Sequence, residues 1–110
     1  MYLPKADTHR RLLEAKVQEV AKTLGPDIVS VTPTFEDNWM GEPAVFFMII
    51  LTDAASERGR LLDTATQASR TIEWNVEPLE EWGVLPYFNF RLQSEQAKLD
   101  ADLAVTNGLR

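Results

Sequence analysis

The stretch that decides the fold is Ala44-Val45-Phe46-Phe47-Met48-Ile49-Ile50-Leu51, eight apolar residues without interruption. It is rich in aromatic and β-branched side chains and is bounded by Pro43 before and Thr52-Asp53 after. A run this short, closed at both ends by breakers, reads as a strand with no polar side rather than as a buried helix. It is also far below the about 20 residues that span a bilayer.

Upstream, residues 28–35 read as another strand. Val29, Val31 and Phe35 point one way; Ser30, Thr32 and Thr34 point the other, joined by Ile28. Pro33 has no amide donor, which places this strand at an edge. The connector 36–43 is rich in turn formers and long for a hairpin, so the strands extend into it or it bulges. Downstream, Phe88, Phe90 and Leu92 alternate with Tyr87, Asn89 and Arg91, which predicts a third strand over 85–92.

The flanking segments carry helical spacing. Leu13, Val17, Val20 and Leu24 share one face of a helix predicted over 8–24, with Asp7 or Thr8 as its cap and Gly25-Pro26 as its stop. Leu61, Ala65, Ala68, Ile72 and Val76 define a second helix over 56–76. Pro78 to Gly83 reads as one more helical turn that packs Leu79 and Trp82 on the core. Ser94 caps a short C-terminal helix, followed by a loose tail; residues 1–94 form the domain.

The expected architecture is therefore α+β, two-layered, of the order αββαβ. A three-stranded mixed sheet has two main helices on one face. The first two strands pair antiparallel, and the crossover through a helix makes the third parallel to the second. With the most apolar strand central the order is one-two-three; an order with the first strand central is the alternative.

This layout leaves one side of the middle strand uncovered by helices. Either Phe46, Met48 and Ile50, or Phe47, Ile49 and Leu51, must face away. Three such side chains left in water forgo about 5–9 kcal/mol, at about 1.5–3 each. Candidate covers are the chain's own C-terminal segment, a second copy, another protein or an apolar ligand, with shielding by long neighbouring side chains as the remaining solution. The expected function is a non-enzymatic protein-interaction module using this face and the hairpin loop. Its contact residues are Trp39, Met40, Phe46, Phe47, Met48, Ile49, Ile50, Tyr87 and Arg91. The expected partner is a protein, either a second copy or the product of a neighbouring gene.

Composition narrows the alternatives. With 110 residues, 45% hydrophobic and 25% charged, the chain is one globular domain. Its net charge of −6 disfavours phosphate backbones. An RNA-binding reading would have to use Arg10, Arg11, Lys16, Arg58, Arg60 and Arg70, with Glu14 and Glu19 interleaved. The absence of cysteine removes disulfides and thiolate chemistry and suits a reducing cytoplasm. The first residues lack the basic and apolar regions of a signal peptide.

No residue set points to catalysis, a cofactor or a metal. His9, the single histidine, lies beside Arg10 and Arg11, a poor setting for a base or ligand. Glu36, Asp37 and Glu42 lack the ligand alternation of a calcium loop. Glu77, Glu80 and Glu81 suit the start of a helical turn without any further role. Ser56, Ser69 and Ser94 sit in no nucleophile motif. An enzyme subunit completed by a partner chain is the second alternative.

Two resemblances remain. Residues 36–44, Glu-Asp-Asn-Trp-Met-Gly-Glu-Pro-Ala, followed by the apolar strand and by Pro86-Tyr87-Phe88-Asn89-Phe90-Arg91, resemble a family of short bacterial proteins. That resemblance implies the αββαβ layout and carries over no catalytic residue. The order of elements is also similar to type II KH domains, which implies RNA binding, but the GxxG turn of that family is missing between Ser56 and Pro78.

Overall fold

The computed structural model describes residues 5–57 and 59–108. Its elements are α1 (Lys5–Thr8), α2 (Arg10–Ala21), β1 (Ile28–Asp37), β2 (Pro43–Leu51), α3 (Asp53–Glu57), α4 (Leu61–Val76), α5 (Pro78–Trp82), β3 (Leu85–Leu92) and α6 (Gln93–Gly108). The sheet has the order β1-β2-β3. β1 pairs antiparallel with β2, and β3 parallel with it. This is the two-layer α+β arrangement that the hydrophobic pattern predicts, with the apolar strand in the centre.

The register decides which side chains share a face. Val31, Ile49 and Phe90 form one row, and Pro33, Phe47 and Phe88 the next. These rows face the helices. Val31, Val45, Phe47, Ile49 and Leu51 pack with Leu13, Val17 and Val20 of α2 and with Ala68, Ile72 and Val76 of α4. The Phe47 and Phe88 rings stack at 5.2 Å. Phe47 and Ile49 are thus core residues, which removes them from the expected contact surface. The choice left open above falls on Phe46, Met48 and Ile50 as the residues facing away.

Several local expectations are corrected. The first helix is broken at His9, whose backbone leaves helical geometry (φ −129°, ψ 40°), so α1 and α2 are separate. The second is interrupted before Leu61, where Gly59 takes a left-handed turn (φ 68°), leaving α3 as a short piece. A register shift between Ile28 and Ser30 rotates Val29 out to solvent, while Ile28 packs on the core. Leu79 is exposed; α5 is anchored by the buried Pro78 and by Trp82, whose indole N–H donates to the Val76 carbonyl at 3.0 Å. The side chain of Asp7 lies outside the described residues.

The C-terminal segment forms a longer helix than its sequence suggests, 16 residues through Gly108. It is tied to the body at its start: Ser94 N–H donates to Asp53 at 3.2 Å and Arg91 donates to Gln96 at 2.7 Å. Farther along, Leu99 and Leu103 are exposed. The chain's radius of gyration is 15.5 Å, against about 13 Å for a compact domain of this length. That excess agrees with a helix that leaves the sheet instead of lying across it.

Near the N-terminus, Lys5 Nζ lies 2.7 Å from Glu81 and 4.7 Å from the centre of the Trp82 ring. The hydrogen bond and charge of Lys5 hold the Glu81 carboxyl below its usual range. A lowered carboxylate pKa stabilises the fold above the ordinary carboxylate range, and the effect is lost as pH falls through the lowered value. In Lys5→Met, Glu81 is expected to titrate higher by NMR, at its ordinary value. The two sides of β2 should also differ: Phe47→Ala is expected to cost about 3–5 kcal/mol in denaturant unfolding, and Phe46→Ala distinctly less.

Candidate functional site

The free side of the sheet is built from three rows. Thr34, Phe46 and Tyr87 form the row nearest the hairpin, followed by Thr32, Met48 and Asn89, then Ser30, Ile50 and Arg91. The middle strand supplies the apolar column and the outer strands the polar flanks. None of that column stands fully in water: Phe46 and Met48 are half-buried and Ile50 is buried. The Tyr87 ring stacks on Phe46 at 5.0 Å with a 16° tilt. Shielding by flanking side chains is therefore how this chain treats most of the stripe, and the solvation penalty is smaller than full exposure would impose.

What stands in water is the hairpin tip. The strands extend into the connector to Asp37 and Pro43, leaving residues 38–42 as the loop. Trp39 is 78% exposed and Met40 70%. Both belong to a loop that is locked from within. Asn38 is only 7% exposed. Its Oδ1 accepts from the Met40 and Glu42 amides, both at 2.9 Å. Its Nδ2 donates to the Glu42 carboxylate at 3.2 Å and to the Tyr87 hydroxyl at 3.0 Å. Its backbone N–H donates to the Glu42 carbonyl at 2.9 Å, and its carbonyl accepts from Gly41 at 3.0 Å. Gly41 has φ 77°, a left-handed conformation that glycine adopts without a Cβ clash.

This arrangement joins the loop to the sheet. Tyr87 receives Asn38 on its hydroxyl, Phe46 on its face and Trp39 edge-on at 5.5 Å and 61°. Trp39, Tyr87 and Phe46 thus form a ladder from the exposed tip to the covered stripe. Of the nine expected contact residues, Trp39, Met40, Phe46, Met48, Ile50, Tyr87 and Arg91 lie on this side; Arg91 sits at the opposite end, held by Gln96. Asn38 was not among them. An asparagine that starts a four-residue turn and has a glycine three positions on is a signal for such side-chain-to-backbone closure.

Among the described residues no three His, Asp or Glu side chains come close enough to hold a metal ion. A depression of about 300 Å³ at the hairpin end is lined by Phe35, Glu36, Asp37, Pro43, Ala44 and Val84, with no histidine or hydroxyl beside the carboxylates. His9 shares a 2.8 Å hydrogen bond with the neighbouring Thr8 hydroxyl. Of the basic residues, Arg10 lies 4.8 Å over the Phe35 ring and Arg60 pairs with Asp27 at 3.4 Å; Arg58 lies outside the described residues. No described helix is long and apolar enough to cross a membrane.

A further exposed aromatic escaped the reading of the sequence. Trp74, 77% exposed on α4, borders a depression with Glu73, Leu79 and Pro86. Comparisons with protein-family models, curated proteins and solved structures found no match.

Asn38→Ala should leave the Met40 and Glu42 amides without their acceptor and cost about 1–3 kcal/mol. Hydrogen exchange at those two amides is expected to accelerate, with core amides of β2 changing only with global stability. Gly41→Ala meets no atom but must hold φ 77°, at a cost of about 1–2 kcal/mol.

Proposed function

We propose that this chain is a non-enzymatic protein-interaction module whose contact site is the Trp39-Met40 loop with the aromatic ladder behind it. The observation that carries this reading is a pair of large apolar side chains held in water by a loop whose polar groups are internally satisfied. Exposed Trp and Met are expensive to solvate, and a loop locked by Asn38 loses little entropy on docking. Tryptophan is enriched among the residues that dominate protein–protein affinity. Met40 adds a flexible, polarisable surface that adapts to its counterpart.

The neighbouring polar groups fit a rim. Thr34 and Glu36 are exposed on β1 and Glu42 in the loop, and these polar groups would remain partly hydrated in a complex. The partner in this reading is a protein with an apolar pocket for the indole, either another copy of the chain or a product of a neighbouring gene. Phe46, Met48 and Ile50 extend the contact inward from the tip, and Arg91 closes the far end.

Retention of partners from the native host tests the reading. A species held by the wild-type chain should be lost with Trp39→Ala and weakened with Met40→Ala, while Lys22→Ala, at the end of α2, retains it. Circular dichroism of Trp39→Ala should match the wild type. Equal retention by Trp39→Ala and the wild type would remove the loop from the interface.

A further inference from the structure

The two edges of the sheet are treated differently. β1 is closed to further pairing: Pro33 lacks a donor in mid-strand, and Gln18 of α2 donates from Nε2 to the Val31 carbonyl at 2.8 Å. β3 carries such features only near its ends, where Pro86 lacks a donor and the Leu92 amide donates to the Glu95 carboxylate at 2.9 Å. Among the described residues, no hydrogen bond from outside β2 reaches the main chain of residues 86–91. Its one proline, Pro86, sits at the second position, and Asn89 and Phe90 are exposed, Phe90 at 38%. An unguarded strand edge presents a row of unpaired donors and acceptors that another strand satisfies.

We propose that β3 is a self-association edge, on which a second copy of this chain adds its own β3 antiparallel to make a continuous six-stranded sheet. The sequence of β3 is self-complementary about Asn89. With Asn89 on the two-fold axis, Phe88 of each copy faces Phe90 of the other, and Tyr87 faces Arg91. Every off-axis pairing in such an interface forms twice from one set of residues. Aromatic cross-strand pairs and a cation beside an aromatic ring are both favourable neighbours.

Charge and shape agree with this occupant. The chain carries −6 overall, which opposes self-association, yet β3 contains no carboxylate and one cation, Arg91. The pairing keeps the two cations apart, each opposite a tyrosine. On the helical side, Phe90 and Leu61, each 38% exposed, border a common depression. These side chains sit beside the edge and would add apolar burial to the main-chain hydrogen bonds.

This edge shares Tyr87 and Arg91 with the contact site proposed above but neither Trp39 nor Met40, so variants at Asn89 and at Trp39 let the two readings fail separately. The chain has no cysteine, so Asn89→Cys introduces a single reporter on the two-fold axis. Directly opposed residues have Cβ atoms about 4.5–5.5 Å apart, near enough for a disulfide after slight adjustment. Asn89→Cys is expected to yield a disulfide-linked dimer under mild oxidation, while Thr32→Cys on β1 stays unlinked. By sedimentation equilibrium the wild type should show twice the chain mass of 12.5 kDa. Asn89→Lys, which sets two cations side by side, should return it to monomer with unchanged circular dichroism and unchanged Trp39-dependent partner retention. A wild type that stays monomeric across a wide concentration range overturns the proposal. So does a dimer in which Asn89→Cys does not link and Asn89→Lys does not dissociate.

Discussion

Everything in this fold is arranged around β2, a strand that is apolar on both sides and hydrogen-bonded along both edges. One side is buried in the conventional way, under α2 and α4, with Phe47 and Ile49 at the centre. The other side has no helical cover. It is shielded by the strands beside it, above all by Tyr87 stacked on Phe46. Supporting a central strand of this kind requires two flanking strands with different jobs. β1 closes one edge and ends in a defended border; β3 lends its long side chains to the free face.

The position of Tyr87 shows how closely the face and the loop are coupled. One ring serves as a lid for Phe46, a wall for Trp39 and, through its hydroxyl, an anchor for Asn38. The hairpin tip is thereby fixed to β3, which is distant in sequence. A tip fixed to the sheet holds its tryptophan against Tyr87, the pre-organisation on which the proposed docking rests.

Much of this was legible in the residues. The apolar run 44–51 read as a strand without a polar side, and the alternation in 85–92 placed Tyr87, Asn89 and Arg91 together on one face, while a sheet with the first strand central stayed open until the pairing was seen. The strand order followed from putting the greasiest strand in the middle. What escaped has specific causes. The breaks at His9 and Gly59 lie before the first residue of each apolar stripe, Leu13 and Leu61, so helical periodicity says nothing about them. Val29 fits the alternation of β1, but a bulge overrides it. The shielding of Phe46 depends on the rotamer of a residue 41 positions away, a tertiary fact without a local signature. The extent of α6 was hidden because its residues carry no marked apolar face; among its described side chains, Leu99 and Leu103 are exposed.

The parallel pairing of β2 with β3 has a kinetic side. The hairpin β1–β2 closes over a five-residue loop, but β3 reaches β2 only after α3, α4 and α5 have been made. Loop closure over that distance carries a larger entropic cost, so β3 joins late. During synthesis, the most aggregation-prone segment of the chain therefore waits with one flank bare until the last third of the polypeptide emerges. The longer the α4 crossover takes to form, the longer that flank stays open to other chains.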